Sequence, residues 1–93
     1  MNLENILKQN LGTIVDVRSY GEFMGGHVSG AINISLNQIA EKLEEIKQLK
    51  TPLILCCASG YRSGQAQNFL AQHNIECYNG GSWLEVNYYQ SKQ

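Results

Sequence analysis

The sequence predicts an α/β fold, an open three-layer α/β/α sandwich on a small parallel sheet. Three observations carry that expectation. Short apolar, β-branched segments alternate with helical patterns along the chain, as in sheets crossed over by helices. One segment, Leu53-Ile54-Leu55-Cys56-Cys57, is apolar at every residue, the pattern of a strand buried on both faces. Finally, 93 residues with 43% hydrophobic and 16% charged side chains can fill one core, which excludes a disordered tail or a collagen-like repeat. A single domain over residues 1–93 is therefore expected.

The elements follow in order. Asn2 opens a short helix with the apolar stripe Leu3, Ile6 and Leu7, ending near Gly12. Thr13 to Val17 is brief and β-branched, and reads as a buried strand. Tyr20 to Met24 suits a short helix stopped by Gly25-Gly26, and Ala31 to Ile34 a second short strand. Ile39, Leu43, Ile46 and Leu49 recur at helical spacing among Glu41, Lys42, Glu44, Glu45, Lys47 and Lys50. That is an amphipathic helix with a solvated outer face. After the Leu53–Cys57 strand, Ala66, Phe69 and Leu70 stripe a helix that starts around Ser63 and ends near Asn74. Ile75 to Tyr78 is the last strand, Asn79-Gly80-Gly81 a turn, and Trp83 the start of a closing helix. In such a sheet the ligand sits beyond the carboxyl ends of the strands.

Composition removes several function classes. A net charge of −1 gives no global electrostatic case for nucleic acid or anionic membrane. The longest apolar run, Leu53 to Ala58, is far too short to span a bilayer. The N-terminus has neither a basic start nor an apolar block, so no signal peptide is visible. Three cysteines, two of them adjacent, do not make a disulfide scaffold, so a reducing cytoplasm is expected. No Cys and His set has metal-ligand spacing, and no nucleotide fingerprint occurs. Neither a metal nor a cofactor is expected. The expected form is a monomer.

Between residues 51 and 75 the only charged side chain is Arg62, in Cys56-Cys57-Ala58-Ser59-Gly60-Tyr61-Arg62-Ser63. Small residues there let a tight loop turn its N–H groups inward, and the following helix adds its positive end. A cysteine at the base of that cup has its thiolate stabilised, which suits a nucleophile. Strand alternation points Cys56 and Cys57 in opposite directions. Spacing alone leaves open which one faces the cup, and both could also be small buried residues.

Further segments stand in order along the chain: Asp16-Val17-Arg18, Glu22-Phe23 and Gly26-His27-Val28-Ser29-Gly30-Ala31-Ile32-Asn33. They continue with Cys57 to Ser63, close to Cys-x-x-Gly-x-Arg-Ser, and with Gly80-Gly81 before Trp83. In this combination and order the chain resembles the rhodanese-like sulfurtransferases. The Ser63-Gly64-Gln65-Ala66 continuation looks most like the short phage-shock-type members. The resemblance implies that Cys57 is the nucleophile, with Cys56 in the last strand position. It implies transfer of a sulfane sulfur, from thiosulfate or a persulfide or polysulfide donor, through a Cys57 persulfide to cyanide, a thiol or a protein cysteine. The N–H groups of Ala58, Ser59, Gly60, Tyr61 and Arg62 would stabilise the sulfur, and Arg62 would hold an anionic donor or brace the loop beside Ser63.

Two departures matter. The chain opens directly at a helix, so four principal strands are expected where the family often has five. Many thiosulfate-using members carry further basic residues where this loop has Ala58 and Tyr61, so persulfide and polysulfide donors are as eligible as thiosulfate.

Other readings compete. Counted from Cys56, the loop is Cys-x5-Arg-Ser, the spacing of related phosphatases and arsenate reductases. Those phosphatases place His before the cysteine, where this chain has Leu55, and the loop offers no acidic residue. Many rhodanese-like domains are regulatory or binding modules, but their usual sign, loss of the cysteine, is absent. Asp16, Arg18 and Glu22 read as a supporting charge network, with Glu22 pairing Arg62 or Arg18. His27 reads as a hydrogen-bonding brace of the Gly26–Gly30 turn, His73 as a favourable charge at a helix end, and Cys77 as core.

Overall fold

The computed structural model describes residues 2–92. Helix α1 (Leu3–Lys8) starts under Asn2, whose side chain accepts the Asn5 N–H at 2.8 Å, a favoured N-cap arrangement. Strand β1 (Thr13–Asp16) leads to α2 (Tyr20–Met24), which Ser19 and Glu22 close with a reciprocal capping box. Strand β2 (Ile32–Asn33), one 3-10 turn (Leu36–Gln38) and α3 (Leu43–Ile46) follow. Strand β3 (Leu53–Cys57), α4 (Tyr61–Gln72), β4 (Cys77–Ser82) and α5 (Trp83–Gln90) complete the order.

The described residues form one four-stranded sheet in the order β2-β1-β3-β4, with every pair parallel. Strand β3 is its spine: no residue from Leu53 to Cys57 is more than 1% exposed. Alternation then divides it between two cores. Leu53, Leu55 and Cys57 face Ala66 and Leu70 of α4 together with Ile39 and Ile46. Ile54 and Cys56 face Ile6 and Leu7 of α1 and Val86 of α5. Burying each such Leu or Ile contributes about 1.5–3 kcal/mol, so β3 is where the apolar-throughout sequence has its largest effect.

Two elements differ from expectation. The amphipathic stretch 39–49 is not one helix: only Leu43–Ile46 is α-helical, and no side chain caps it. Ile39 and Ile46 are buried all the same. The periodicity reports which residues face the core, and it holds through turns as well as through a continuous helix. The expected turn at Asn79-Gly80-Gly81 belongs instead to β4, which meets β3 through a register shift opposite Leu55 and Cys56. Gly80 is needed there for closeness: a Cβ would lie 2.8 Å from Val86 Cγ2 and 3.1 Å from both Ile54 Cγ2 and the Leu55 oxygen.

Candidate active site

Parallel pairing brings the carboxyl ends of β1, β3 and β4 to one rim, where residues 58–60 link β3 to α4. Cys57 is the last residue of β3, the position the resemblance gave to Cys56, and is 1% exposed at the base of this loop. Its Sγ accepts the Gly60 N–H at 3.0 Å and the Ser63 N–H at 3.5 Å, and lies 3.4 Å from Ser63 Oγ. Gly60 adopts φ 100° as the N-cap of α4, and a Cβ there would approach Gly81 Cα to 3.3 Å. Few other residues adopt that backbone cheaply. The helix therefore starts at Tyr61, two residues earlier than expected, and its first turn turns Ser63 toward the sulfur.

These contacts set the two cysteines apart. Burial pushes the Cys57 thiol up, but the Ser63 hydroxyl and the N–H groups of Ser63, Gly60 and Ser59 outweigh it, leaving its pKa below the ordinary 9.0. Cys56 points to the opposite core and is fully buried; burial, then the nearby Asp16 carboxylate, push its thiol up to about 12. The donors to Cys57 form a narrower set than the expected run from Ala58 to Arg62. Ala58 is exposed and Tyr61 is 74% exposed, at the mouth of the loop.

Arg62 turns its guanidinium onto Glu22, with Nη1 donating to Oε1 at 2.7 Å and Nη2 to Oε2 at 3.0 Å. Hydrogen bonds from Arg62 and from Ser19 hold the Glu22 carboxyl down to about 2. Arg18 instead pairs with Asp16, Nη2 to Oδ2 at 2.8 Å, and also donates to the Gly26 carbonyl. That pair is buried, with side chains only 6% and 0% exposed, and Arg18 lies over the Trp83 ring at 4.7 Å. It is thus no surface pair. The Asn33 amide donates to the Asp16 and Arg18 carbonyls, latching this rim to β2. His27 is exposed, stacks on Phe23 at 3.7 Å and sets Nδ1 2.8 Å from the Phe23 carbonyl. Its ring contacts are thus within its own turn. His73 is the C-cap of α4. Cys77 is half-buried, with Sγ 3.8 Å from the Gln67 carbonyl, so the expectation of a core cysteine holds only in part.

Sequence reasoning missed Asn79. Its Nδ2 donates to the Gly60 carbonyl at 3.0 Å, while its Oδ1 accepts the Ser63 hydroxyl at 2.6 Å and the Gly81 N–H at 2.9 Å. An Asn before two glycines carries an ordinary turn signal, which hid this role. Only the pairing of β4 beside the cup reveals it.

The profile of the rhodanese-like domain matches residues 2–84. The chain belongs to the rhodanese-like domain family. This rhodanese-like domain is 42% identical over 67 residues to the uncharacterized protein YqhL of Bacillus subtilis, covering 71% of this chain and 52% of YqhL. The chain thus spans about half the length of that relative. It is 29% identical over 79 residues to the thiosulfate sulfurtransferase GlpE of Shewanella oneidensis, covering 80% of this chain and 77% of GlpE. The structure of a rhodanese with anions from E. coli superimposes with a TM-score of 0.70 at 28% identity, over 78% of this chain and 88% of that one.

Two open clefts flank the cup of this rhodanese-like domain. One lies beside Ser59, Gly60 and Gly81 toward α5, the other beyond Arg62 along Val17, Ser35 and Leu36. Among the described residues no group of His, Cys, Asp and Glu could hold a metal ion, and no helix is long and apolar enough to cross a membrane.

Proposed function

We propose that this domain is a sulfurtransferase in which the Cys57 thiolate carries the sulfur. One observation carries the reading. Of two adjacent cysteines, one has a depressed pKa and sits in a ring of hydrogen-bond donors; the other is sealed in the core with its thiol pushed up to about 12. A thiolate is the nucleophile that sulfur transfer requires.

In the first half-reaction the Cys57 thiolate attacks the outer sulfur of thiosulfate. The new S–S bond forms on Sγ, the bond within thiosulfate breaks, and sulfite leaves with the electron pair. With a polysulfide the leaving group is the shortened polysulfide. In the second half-reaction a thiophilic acceptor, cyanide or a thiolate, attacks the outer sulfur and restores the Cys57 thiolate. Attack by the thiolate itself needs no general base, and the hydrogen bonds that lower the Cys57 pKa favour that form. The charge of the persulfide rests on its outer sulfur, and the positive start of α4 favours that charge. Glu22 already engages Arg62, so Arg62 braces the loop, and the buried Asp16–Arg18 pair fixes the rim beneath it.

Its resemblance to GlpE, a thiosulfate sulfurtransferase, supports the same reaction class. The three free cysteines suit a reducing compartment. A phosphatase acting from Cys56 finds no support, since that sulfur is fully buried on the far side of the sheet. The test is thiocyanate release from thiosulfate, and separately from polysulfide, in the presence of cyanide. Cys57→Ser should abolish release and Cys56→Ser should keep most of it. The reverse pattern would overturn the assignment.

A further inference from the structure

The Ser63 hydroxyl stands between two acceptors and has one proton to give. Its oxygen is 2.6 Å from Asn79 Oδ1 and 3.4 Å from Cys57 Sγ. The orientation of the Asn79 amide is fixed independently of Ser63. The Gly81 N–H can only donate, so it faces Oδ1; the Gly60 carbonyl can only accept, so it faces Nδ2. Asn79 Oδ1 therefore has nothing to donate to Ser63. While Cys57 is a neutral thiol, the Ser63 proton points to Asn79 and the Ser63 oxygen accepts from the S–H. Once Cys57 is a thiolate, Sγ and Asn79 Oδ1 are both acceptors for the same single proton.

We propose that Asn79 is a positioning residue of the sulfur-transfer site, which competes with Cys57 for the Ser63 hydroxyl proton. This rests on the sulfurtransferase reading and deepens it. When sulfur is added, the charge moves from Sγ to the outer sulfur, and Sγ no longer needs the hydroxyl. Asn79 offers it a second acceptor at that moment, so the hydroxyl is satisfied in both the thiolate and the persulfide states. A site with Sγ as the sole acceptor would hold charge on Sγ too well and resist the step that moves it outward. The same side chain ties Gly60 to β4, so the cup and the hydroxyl share one anchor.

Among the described residues, the charged groups that face the cup are Arg62 on α4, paired to Glu22 of α2, the Asp16–Arg18 pair at the end of β1, beyond Cys56, and Glu85 of α5, which shares a cleft with Gly60, Asn79 and Gly81. Substitution of Asn79 leaves all of them in place. The test is the pH profile of Cys57 alkylation by iodoacetamide, located by peptide mapping, in wild type, Asn79→Leu, Asn79→Asp and Ser63→Ala backgrounds. Asn79→Leu frees the hydroxyl for the thiolate and should move the profile to lower pH by about one unit, the scale of one hydrogen bond to a charged group. Asn79→Asp keeps the acceptor and adds charge, and should move it to higher pH. In Ser63→Ala the effect of Asn79→Leu should vanish. A purely structural Asn79 would move both variants the same way, or keep its effect without Ser63, and either result overturns the proposal. Alkylation needs no sulfur donor, so its outcome is separable from failure of the transfer reaction itself.

Discussion

Arg62 and Glu22, forty residues apart, meet in a two-point ion pair across the mouth of the cup, at 2.7 and 3.0 Å. The only cation of the loop is thereby paired before any donor arrives. A dianion such as thiosulfate meets no free guanidinium. Glu22→Gln removes the opposing charge and leaves Arg62 able to turn to an anion. The KM for thiosulfate should fall several-fold, while use of an uncharged organic trisulfide should change little. Steady-state kinetics with both donors checks this; equal changes would mean that Arg62, even when released from Glu22, does not take up the anion.

The same pair has a pH signature. The Glu22 carboxyl lies at about 2, below its ordinary 4.5. Its contribution is fully present above the ordinary value and is lost as pH falls from 4.5 toward 2. Thermal unfolding of wild type and Glu22→Gln should differ at pH 6 and converge over that acid range. A constant difference down to pH 2 would contradict the assignment.

Asp16→Ala tests the buried pair. It leaves Arg18 facing Trp83 and the Gly26 carbonyl with no carboxylate, and removing one partner of a buried pair costs about 3–5 kcal/mol. Urea unfolding should show a loss of that size. A loss under about 1 kcal/mol would place the pair with ordinary surface ion pairs.

Much of this was legible beforehand. Strand β3 was plain because both of its faces are buried, so no polar residue interrupts Leu53–Cys57. Helix α2 was plain because Gly25-Gly26 marks its end locally, though its Ser19–Glu22 capping box went unread. The stretch from Ile39 to Leu49 was misread because burial, not a continuous hydrogen-bond ladder, imposes its period. Strand β4 was misread because Asn-Gly-Gly is turn chemistry in isolation. Here Gly80 and Gly81 serve close packing beside β3 and α5, a constraint that exists only between elements distant in sequence. Asn79 was invisible for the same reason, whereas the Glu22–Arg62 pair was one of two expected alternatives.

Gly60→Ala addresses the cup itself. Holding a residue with a Cβ at φ 100° costs about 1–3 kcal/mol, and relief of that strain draws the Gly60 N–H away from Cys57. Alkylation of Cys57 should then require higher pH than in wild type, with Cys56 unreactive in both folded proteins. An unchanged profile would mean that the Gly60 N–H contributes nothing to the thiolate.

The central claim is that Cys57 carries the sulfur. The most direct measurement is the intact-protein mass after brief incubation with thiosulfate or with polysulfide, for wild type, Cys57→Ser and Cys56→Ser. Wild type and Cys56→Ser should each gain the mass of one sulfur atom from at least one donor, reversed by cyanide, and Cys57→Ser should gain none. A gain that survives Cys57→Ser, or no gain in wild type with either donor, would contradict the account.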